Sequence, residues 1–484
     1  MLEKESKLMS REDEEIMAWF ERTTRDAADV QRETLRRILA ENAGVEYLRE
    51  LGLAGLTDAG SFRARVPVVT HADLDPYIQR VADGDASPVL TAKPVTAISL
   101  SSGTTQGKRK RLLFNDHLLR SSIRFFHASC AFTNRAFPVE DGRVLQFMYG
   151  SRQETTKGGL TATTVMTNLL RSEEFTASMA ARYVQATMTG SMEHYVKKLR
   201  HYAGGVPLVS GNYASSEGVI GINAEQHAPP ESVVFTVLPD AAYFEFIPLK
   251  PPCTDVDDNP AGSFYVDADD ADPVGLTEVA VGEHYEVVMT TFTGLYRYRL
   301  GDVVKVAGFH HATPKLRFVC RRSLILSINV DKNSEHDLQL AVDSAAKILA
   351  GDGENHKQLE IADYTSDADT SSDPGHYVIF WELSGGGEED GGGVLLLQRC
   401  CDEMDRAFGA DAGYAQSRKA RAIGALELRV LRRGAFQEVL RHYVAGGSSA
   451  GQFKMPRCVA PSNAGVLRVL KDNTINIFFS AAYD

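Results

Sequence analysis

The chain has 484 residues, of which 43% are hydrophobic and 24% are charged, a composition typical of folded globular proteins. At about 150 residues per domain, this length predicts roughly three compact units. Lysine and arginine number 52, and aspartate and glutamate 64, so the formal net charge is −12. This charge argues against bulk nucleic acid or an anionic membrane as the main partner, but a local basic cluster could still hold a small anion.

The sequence has no run of about 18 apolar residues, and residues 1–13 are charged throughout. We therefore expect neither a membrane span nor a secretory signal. The 6 cysteines are scattered and none forms a CxxC pair. This spacing favours reduced thiols in a cytoplasmic protein over a disulfide framework or a zinc site.

The first half of the chain predicts an α/β layer behind an N-terminal helical cap. Residues 13–52 place apolar side chains at helical spacing and predict two amphipathic helices. Beyond residue 67, short apolar runs alternate with turn residues. They predict strands at 96–100 and 143–149 and a helix at 118–131.

The second half predicts a β-rich region followed by a small α+β unit. Strands are predicted at 232–238, 243–249, 285–291, 302–307, 315–320, 377–383 and 425–431. Helices are predicted at 334–349, 394–408 and 435–445, the first with a Ser334-to-Asp337 capping signature. The Pro- and Asp-rich stretch 251–272 and the Gly-rich stretch 384–393 read as loops.

A phosphate-binding loop is the first candidate site. The segment from Ser99 to Lys110, SLSSGTTQGKRK, follows a predicted strand and combines hydroxyls, glycines and lysines. It differs from a Walker loop, because three residues rather than four separate its glycines and Arg109 follows the lysine. The alternatives are a flexible polar hairpin and, less favoured, a nuclear-localisation patch.

Two further segments complete the set of candidate sites. In YASSEG, Glu217 is a carboxylate at a strand–loop junction, which suits a Mg²⁺ ion held against nucleotide phosphates. In LYRYRLGDVV, Asp302 follows a glycine turn and could accept hydrogen bonds from ribose hydroxyls. Taken alone, the first could be an ordinary turn and the second a hairpin turn with outward-facing arginines.

The order of the three segments is that of adenylate-forming enzymes, and the motifs SSGTTQGK, YASSEG and YRYRLGDVV resemble those of the plant auxin-responsive Gretchen Hagen acyl acid amido synthetases. The resemblance runs from about residue 24 to 484. Stretches such as SINVDKN and GQFKMPRC are most similar to the jasmonoyl–isoleucine branch. The absence of GxSxG and HExxH motifs agrees with an enzyme that uses neither a serine nor a zinc centre.

The resemblance implies a luciferase-like adenylate-forming α/β fold, with a large domain of mixed sheets over 1–320 and a small α+β lid over 321–484. It implies that ATP and Mg²⁺ activate an acid as an acyl-adenylate, which an amino acid amine then attacks. Jasmonate with isoleucine is the expected pair, and indole-3-acetate is the alternative acid. A thioester ligase is disfavoured. We expect a monomer acting on small molecules, with no nucleic acid or membrane partner.

The resemblance also assigns residue roles. Catalytic roles fall to Glu217, as the metal carboxylate, and to Lys454, as the lid lysine that meets phosphate. The nucleotide contacts are Ser99, Leu119, Ser122, Asn168 and Asp302. The acyl contacts are Ser102, Gly211, Asn212, Tyr213 and Ala214. The amino acid contacts are Thr163, Thr164, Val165, Met166, Thr167, Glu438, Val439, Leu440, Arg441 and His442.

The chain departs from the family pattern in two ways. Jasmonate-type members tend to carry His and Trp where this chain has Gly211 and Val219, so its acyl pocket is expected to differ in shape. A helical stretch on the order of a hundred residues, most of a domain, is also missing between Met179 and Tyr183. The shortened chain therefore predicts either an active ligase or a truncated paralogue that only binds nucleotide or hormone.

Overall fold

The computed structural model describes most of the chain, which divides into two compact units. The larger unit comprises Met1–Thr104, Arg109–Leu249 and Asp267–Val319, and the smaller comprises Thr105–Lys108, Lys250–Val266 and Cys320–Asp484. The described residues are 11–53, 55–105, 108–137, 151, 153–178, 185–186, 195–203, 208–250, 266–267, 272–322, 324–331, 333–350, 359–385, 392–445, 453–459 and 463–483.

The larger unit begins with a layer of helices, whereas the apolar spacing predicts only two, over residues 13–52. The helices are α1 (Arg11–Arg25), α2 (Ala27–Glu41), α3 (Glu46–Glu50), α4 (Ala59–Arg65) and α5 (His71–Asp83). Leu35 and Ile38 of α2 are almost fully buried in the core of this unit. Helix α5 begins at a capping box formed by Thr70 and Asp73, which satisfies backbone donors at its first turn.

A small mixed sheet follows, with the described strand order β2-β1-β4-β3. Its strands are β1 (Ala97–Thr105), β2 (Lys108–Phe114), β3 (Glu154–Thr155) and β4 (Thr161–Thr163). The accompanying helices are α6 (Asp116–Ala136), α7 (Val165–Leu170), α8 (Glu173–Ser178) and α9 (Val196–Ala203). The predicted strand 143–149 and the predicted junction at 179–183 lie outside the described residues.

The main sheet of the larger unit combines four strands of seven or more residues with shorter ones. A short parallel pair, β5 (Gln185–Ala186) and β6 (Val209–Ser210), stands apart from it. The main sheet has the described order β11-β10-β13-β14-β15-β9-β8-β7, with β12 paired to β10. Its strands are β7 (Tyr213–Ala214), β8 (Val219–Ile222), β9 (Phe235–Val237), β10 (Tyr243–Lys250), β11 (Val266–Asp267), β12 (Val274–Gly275), β13 (His284–Thr290), β14 (Tyr298–His310) and β15 (Thr313–Arg321).

Strand β14 contains a bulge at its glycine. Glu286 of β13 pairs with Val303, and Val288 pairs with Arg299, so β14 has two more residues than β13 between these pairs. Gly301 lies inside this bulge with a φ of 82°, a conformation that residues with a Cβ rarely adopt. The bulge re-aims the segment that carries Asp302.

The smaller unit has its own sheet and core. Its strands are β16 (Leu324–Leu326), β17 (Asn333–Ser334), β18 (Glu360–Asp369), β19 (His376–Ser384), β20 (Glu427–Leu431) and β21 (Thr474–Phe479). Its helices are α10 (Glu335–Ala350), α11 (Gly392–Phe408), α12 (Ala412–Lys419), α13 (Ala435–Ala445) and α14 (Ala464–Asp472). Strands β18 to β21 form one sheet in chain order, with β19 and β20 parallel.

The predicted α/β architecture is confirmed: mixed sheets fill a larger N-terminal unit, and a small α+β unit follows. The predicted cap of α10 is also present, since the backbone N–H and the hydroxyl of Ser334 both donate to Asp337. In the part of the chain that the structure describes, no helix combines the length and the apolar character that a bilayer crossing needs.

The described cysteines are thiols and at least partly buried, which lowers their reactivity. Burial raises the pKa of Cys130 to about 11 and the pKa values of Cys400 and Cys458 to about 12. At pH 8 almost no thiolate exists at these positions. We expect a thiol reagent such as DTNB to leave all three unlabelled in the folded protein and to label them in guanidinium chloride. A Cys253→Ser background removes the thiol outside the described residues, and rapid labelling of the folded chain would contradict the expectation.

Candidate active site

Ser99 and Asn168, both predicted to contact nucleotide, lie side by side in the larger unit. Strands β1 and β4 are parallel and place Ser99 opposite Thr163. Asn168 on α7 donates through Nδ2 to Ser99 Oγ and to the carbonyl of Ile98, both at 3.3 Å. Asn168 Oδ1 is buried and accepts no hydrogen bond. An unsatisfied buried acceptor is costly, so this oxygen is suited to receive a donor from a bound ligand.

A cluster of hydroxyls lies beside this pair, on the turn that leads into α7. Ser151 Oγ is 2.7 Å from Thr163 Oγ1, 3.1 Å from Thr164 Oγ1 and 3.0 Å from Thr167 Oγ1. The Thr164 hydroxyl caps α7 by accepting from the backbone N–H of Thr167. Of residues 163–167, predicted to contact the amino acid substrate, Thr163, Thr164 and Thr167 therefore form one buried network with Ser151, which rigidifies the turn. Val165 and Met166 are half-buried and pack against the apolar cluster around Phe175.

Helix α6 borders both groups through the side chains predicted from the sequence. Leu119 packs against the cluster that contains Ala97 and Leu169, and Ser122 is buried. Two turns further on, Ser129 accepts a 2.5 Å hydrogen bond from Asn212 Nδ2. Asn212 Oδ1 accepts from the backbone N–H of Asn223, so this side chain joins α6 to the strands of the main sheet.

Glu217 lies in the tight turn between β7 and β8 and is buried. Its backbone N–H donates to Ser215 Oγ at 3.2 Å, which fixes the turn. Its carboxylate Oε1 accepts a 3.1 Å hydrogen bond from Tyr298 of β14. The Tyr298 hydroxyl in turn accepts from Lys110 Nζ at 3.3 Å. A basic residue of the predicted phosphate loop thus reaches the predicted metal carboxylate through one tyrosine.

Asp302 is buried on the same strand and is held by a second tyrosine. The Tyr213 hydroxyl donates to Asp302 Oδ2 at 2.8 Å. Of the other predicted acyl residues, Gly211 and Asn212 are half-buried, and Ala214 is exposed. Ser102 lies on β1, and its side chain is outside the described residues. The larger unit therefore holds all four residues, with Ser99 on β1, Asn168 on α7, Glu217 in the turn between β7 and β8, and Asp302 on β14.

Val219 follows the Glu217 turn and lies in the core. It belongs to a buried apolar cluster with Phe125 and Phe132 of α6 and Phe20 of α1. The smaller side chain at this position, noted above, is thus accommodated by packing against α6.

The smaller unit holds Lys454 at the start of a segment that adds to its sheet. Residues 453–459 run beside β18: Ser366 N donates to the carbonyl of Arg457, and Val459 N donates to that of Ser366, both at 2.8 Å. Arg457 reinforces the contact through a 2.7 Å ion pair with Asp363 and lies 4.0 Å from the ring centre of Tyr364. The side chain of Lys454 is exposed. The lysine therefore projects from a firmly anchored segment.

Residues 438–442, which were predicted to contact the amino acid substrate, lie on α13 in different environments. Glu438 accepts hydrogen bonds from Arg432 at 2.9 Å and from Asn473 at 3.0 Å. Val439 is fully buried in the core of the smaller unit, so it could contact an amino acid only through its backbone. Leu440 is half-buried, whereas Arg441 and His442 are exposed.

Tyr298 and Ser151 were not identified from the sequence as site residues. Tyr298 lies four residues before Asp302 on the same strand, and both are buried, but the strand predicted from the sequence began only at residue 302 and left Tyr298 outside. No pattern in the sequence marks Ser151 as a site residue, since its hydrogen bonds with Thr163, Thr164 and Thr167 form only in the folded structure.

Replacing Tyr298 by Phe removes the one hydroxyl that links Lys110 to Glu217. We expect the variant to fold and to bind MgATP on the order of ten-fold more weakly, because loss of an outer hydrogen-bond partner typically costs 10–100-fold. Titration calorimetry measures the effect. Tyr285→Phe is the control, since its hydroxyl accepts a backbone N–H elsewhere in the same sheet, from Ala280. Equal affinities of Tyr298→Phe and the unsubstituted chain would contradict the expectation.

Three family models match the chain. They are the GH3 family N-terminal domain over residues 16–183, the central domain over 235–321 and the C-terminal domain over 336–463. The chain is also similar to a solved structure described as the AtGH3.15 acyl acid amido synthetase in complex with 2,4-DB. The TM-score is 0.82 at 28% identity, and 97% of each chain is covered.

Two curated relatives match over nearly their whole lengths. The probable indole-3-acetic acid-amido synthetase GH3.12 of Oryza sativa subsp. japonica is 76% identical, covering 100% of both chains. The jasmonoyl–L-amino acid synthetase JAR4 of Nicotiana attenuata is 43% identical, covering 97% of this chain and 98% of the relative. The rice alignment runs over 613 positions, against 484 residues here, so at least 129 positions, the difference, have no counterpart in this chain.

Proposed function

The chain belongs to the GH3 family and is an acid–amino acid ligase, and from this premise we propose that it conjugates jasmonate to an amino acid such as isoleucine. The observation that supports the chemistry is that one unit holds both the contact between Ser99 and Asn168 and two buried carboxylates, Glu217 and Asp302, each fixed by a tyrosine. The choice of acid is supported by the jasmonoyl relative, which matches over 97% of this chain.

In the first step, the carboxylate of the acid attacks the α-phosphorus of ATP, and pyrophosphate leaves. We propose that Ser99 and Asn168 contact the nucleotide and that Asp302, oriented by Tyr213, accepts hydrogen bonds from its ribose. These groups are held before substrate arrives, so they position the reactants at little entropic cost. Lys110 and, from the smaller unit, Lys454 supply positive charge near the phosphates.

Glu217 fits a magnesium ion. It is a buried carboxylate whose orientation is fixed, and Mg²⁺ is typically held by one or two carboxylates together with substrate phosphates and water. When bound, the ion neutralises phosphate charge. The chain itself fixes the carboxylate through Tyr298 and the turn at Ser215.

In the second step, the amine of the amino acid attacks the acyl carbon, and AMP leaves. We propose that residues 163–167 and 438–442 bind this amino acid, and that Ser102 and residues 211–214 bind the acid. On this proposal the larger unit is the adenylation domain and the smaller unit is its lid. The amine must lose a proton before it attacks, and no base is assigned.

Indole-3-acetate is the second candidate acid. The observation that favours indole-3-acetate is the 76% identity to the rice relative, which is named a probable indole-3-acetic acid-amido synthetase. The smaller side chains at Gly211 and Val219 are consistent with an acyl pocket unlike that of jasmonate-type members. A change in pocket shape can alter transition-state binding by a few kcal/mol, which is sufficient to change the preferred acid.

The acid is tested by supplying the purified chain with ATP, Mg²⁺ and an amino acid mixture, together with jasmonate or indole-3-acetate in separate reactions. Mass spectrometry then identifies the conjugates. We expect jasmonoyl–amino acid conjugates at the higher rate. Conjugates from indole-3-acetate alone would replace jasmonate by the second candidate.

The 129 unmatched positions are the reason to test a third outcome, a chain that binds nucleotide without turnover. Thermal melting with and without MgATP separates this outcome from the others. Stabilisation by MgATP, together with neither acid-dependent pyrophosphate exchange nor conjugate, would indicate a binding protein. A chain that forms conjugate excludes it.

A further inference from the structure

Two adjacent histidines at the turn between β14 and β15 face one glutamate of α1. His311 Nε2 is 2.6 Å from Glu21 Oε2, and His310 Nε2 is 3.4 Å from Glu21 Oε1. The potential ligand atoms of all three residues lie within 4.8 Å of one another. None of these residues takes part in the site described above.

The backbone explains how consecutive residues face the same side chain. In an extended strand, neighbouring side chains point to opposite faces. His310 ends β14, but His311 has a φ of 51°, in the left-handed region that few residues other than glycine adopt. The two imidazole rings are consequently only 4.7 Å apart between centroids. The turn thus adopts a strained conformation that brings both rings to Glu21.

The turn is also fixed against α1, so its geometry is preorganised. The backbone N–H of Ala312 and the hydroxyl of Thr313 both donate to the carbonyl of Thr24 at 3.1 Å. The ring of Phe20, which is fully buried, lies 5.2 Å from that of His310 between centroids. Rigid placement of side chains is a requirement of a specific metal site.

His310 Nε2 is buried and makes no hydrogen bond, because its 3.4 Å contact with Glu21 lacks hydrogen-bond geometry. Two imidazole nitrogens are directed at one carboxylate, and a bound cation would replace the 2.6 Å hydrogen bond between His311 Nε2 and Glu21 Oε2. We propose that Glu21, His310 and His311 bind a divalent transition-metal ion of the zinc class, with water completing the coordination.

The donor set matches this class of ion. Imidazole nitrogen and carboxylate oxygen bind Zn²⁺ at about 2.0–2.2 Å, and a tetrahedral arrangement places ligand atoms roughly 3.3 Å apart. The ligand atoms of Glu21, His310 and His311 reach that spacing through side-chain shifts on the order of 1 Å. The ion would cross-link the β14–β15 turn to α1, and its binding energy would stabilise the larger unit.

The experiment is a Zn²⁺ titration of the chelator-treated full chain against a chromophoric competitor. We expect the unsubstituted chain to bind one more Zn²⁺ per chain than the double variant His310→Gln/His311→Gln. Glu21→Gln should bind that ion at least about ten-fold more weakly. Zn²⁺ should raise the melting temperature of the unsubstituted chain but not that of the double variant.

A matched control is His117→Gln. His117 and Glu41 are 2.8 Å apart and similarly half-buried, but they offer a single imidazole. This variant should retain the full Zn²⁺ stoichiometry. His311→Gly is a second test should the double variant misfold, because glycine suits the left-handed turn while removing one ligand. Equal Zn²⁺ stoichiometry and affinity in the unsubstituted chain and in His311→Gly would overturn the proposal.

Discussion

Glu217→Gln is expected to lower the rate of adenylation by about 100- to 1000-fold while leaving the fold intact, the range seen when one preorganised charge-stabilising group is removed. The amide keeps the shape of the side chain, and its oxygen still accepts the hydrogen bond from Tyr298. The variant loses the negative charge, and one carboxylate oxygen becomes an NH₂ donor. Acid-dependent exchange of labelled pyrophosphate into ATP measures the first step by itself.

The control for this variant is Glu225→Gln, in the segment that follows β8. Glu225 is 49% exposed and pairs with Lys315 at 2.7 Å, so its loss should change the exchange rate less than two-fold. A Glu217→Gln enzyme with near-normal exchange would remove Glu217 from the active site. Equal melting temperatures of both variants and the unsubstituted chain would show that the loss concerns charge rather than folding.

Arg297→Met is expected to lower the free energy of unfolding of the larger unit by about 3 kcal/mol. Arg297 forms a two-point ion pair with Glu245, at 2.9 and 3.1 Å, and both side chains are buried. The variant leaves the Glu245 carboxylate without its main partner. We choose the lower end of the range for broken buried pairs because Arg63 remains 3.1 Å from Glu245.

The measurement uses denaturant unfolding with Trp19 of α1 as the reporter. The chain has 2 tryptophans, and Trp381→Phe removes the one in the smaller unit. Arg120→Met in the same background is the control, since Arg120 and Asp116 form an exposed pair worth less than about 1 kcal/mol. Equal stabilities of the Arg297 and Arg120 variants would show that the buried pair contributes little.

The fold was predictable where local signals agreed with tertiary structure. The cap at Ser334 and the apolar strands at 243–249 and 285–291 follow directly from residue pattern. Strand β18 was not predicted, because its sequence, EIADYTSDAD, is rich in residues that disfavour strands. It forms because it pairs along its length with β19 and with the segment 453–459.

The motifs were sufficient to predict the carboxylates of the candidate site, but not the hydrogen bonds that hold them in place. Glu217 and Asp302 were found, whereas the tyrosines that orient them were not assigned that role. Tyr298 and Glu217 are 81 residues apart in the chain, and only the pairing of strands brings them together. The interpretation of the arginines as outward-facing was wrong: Arg297 pairs with Glu245, and Arg299 pairs with Glu286, 2.5 Å apart. The alternation of side chains along one strand carries no information about carboxylates that are buried on a neighbouring strand.

The bulge in β14 constrains which changes in chain length the protein can tolerate. It adds two residues, an even number, so the alternation of faces is the same before and after it. Deleting one residue there would turn every side chain from Val303 to His310 to the opposite face and expose a buried row. Deleting two would preserve the faces but take Asp302 out of the position that Tyr213 holds. Length variation among related sequences should therefore avoid single steps at this point of the chain.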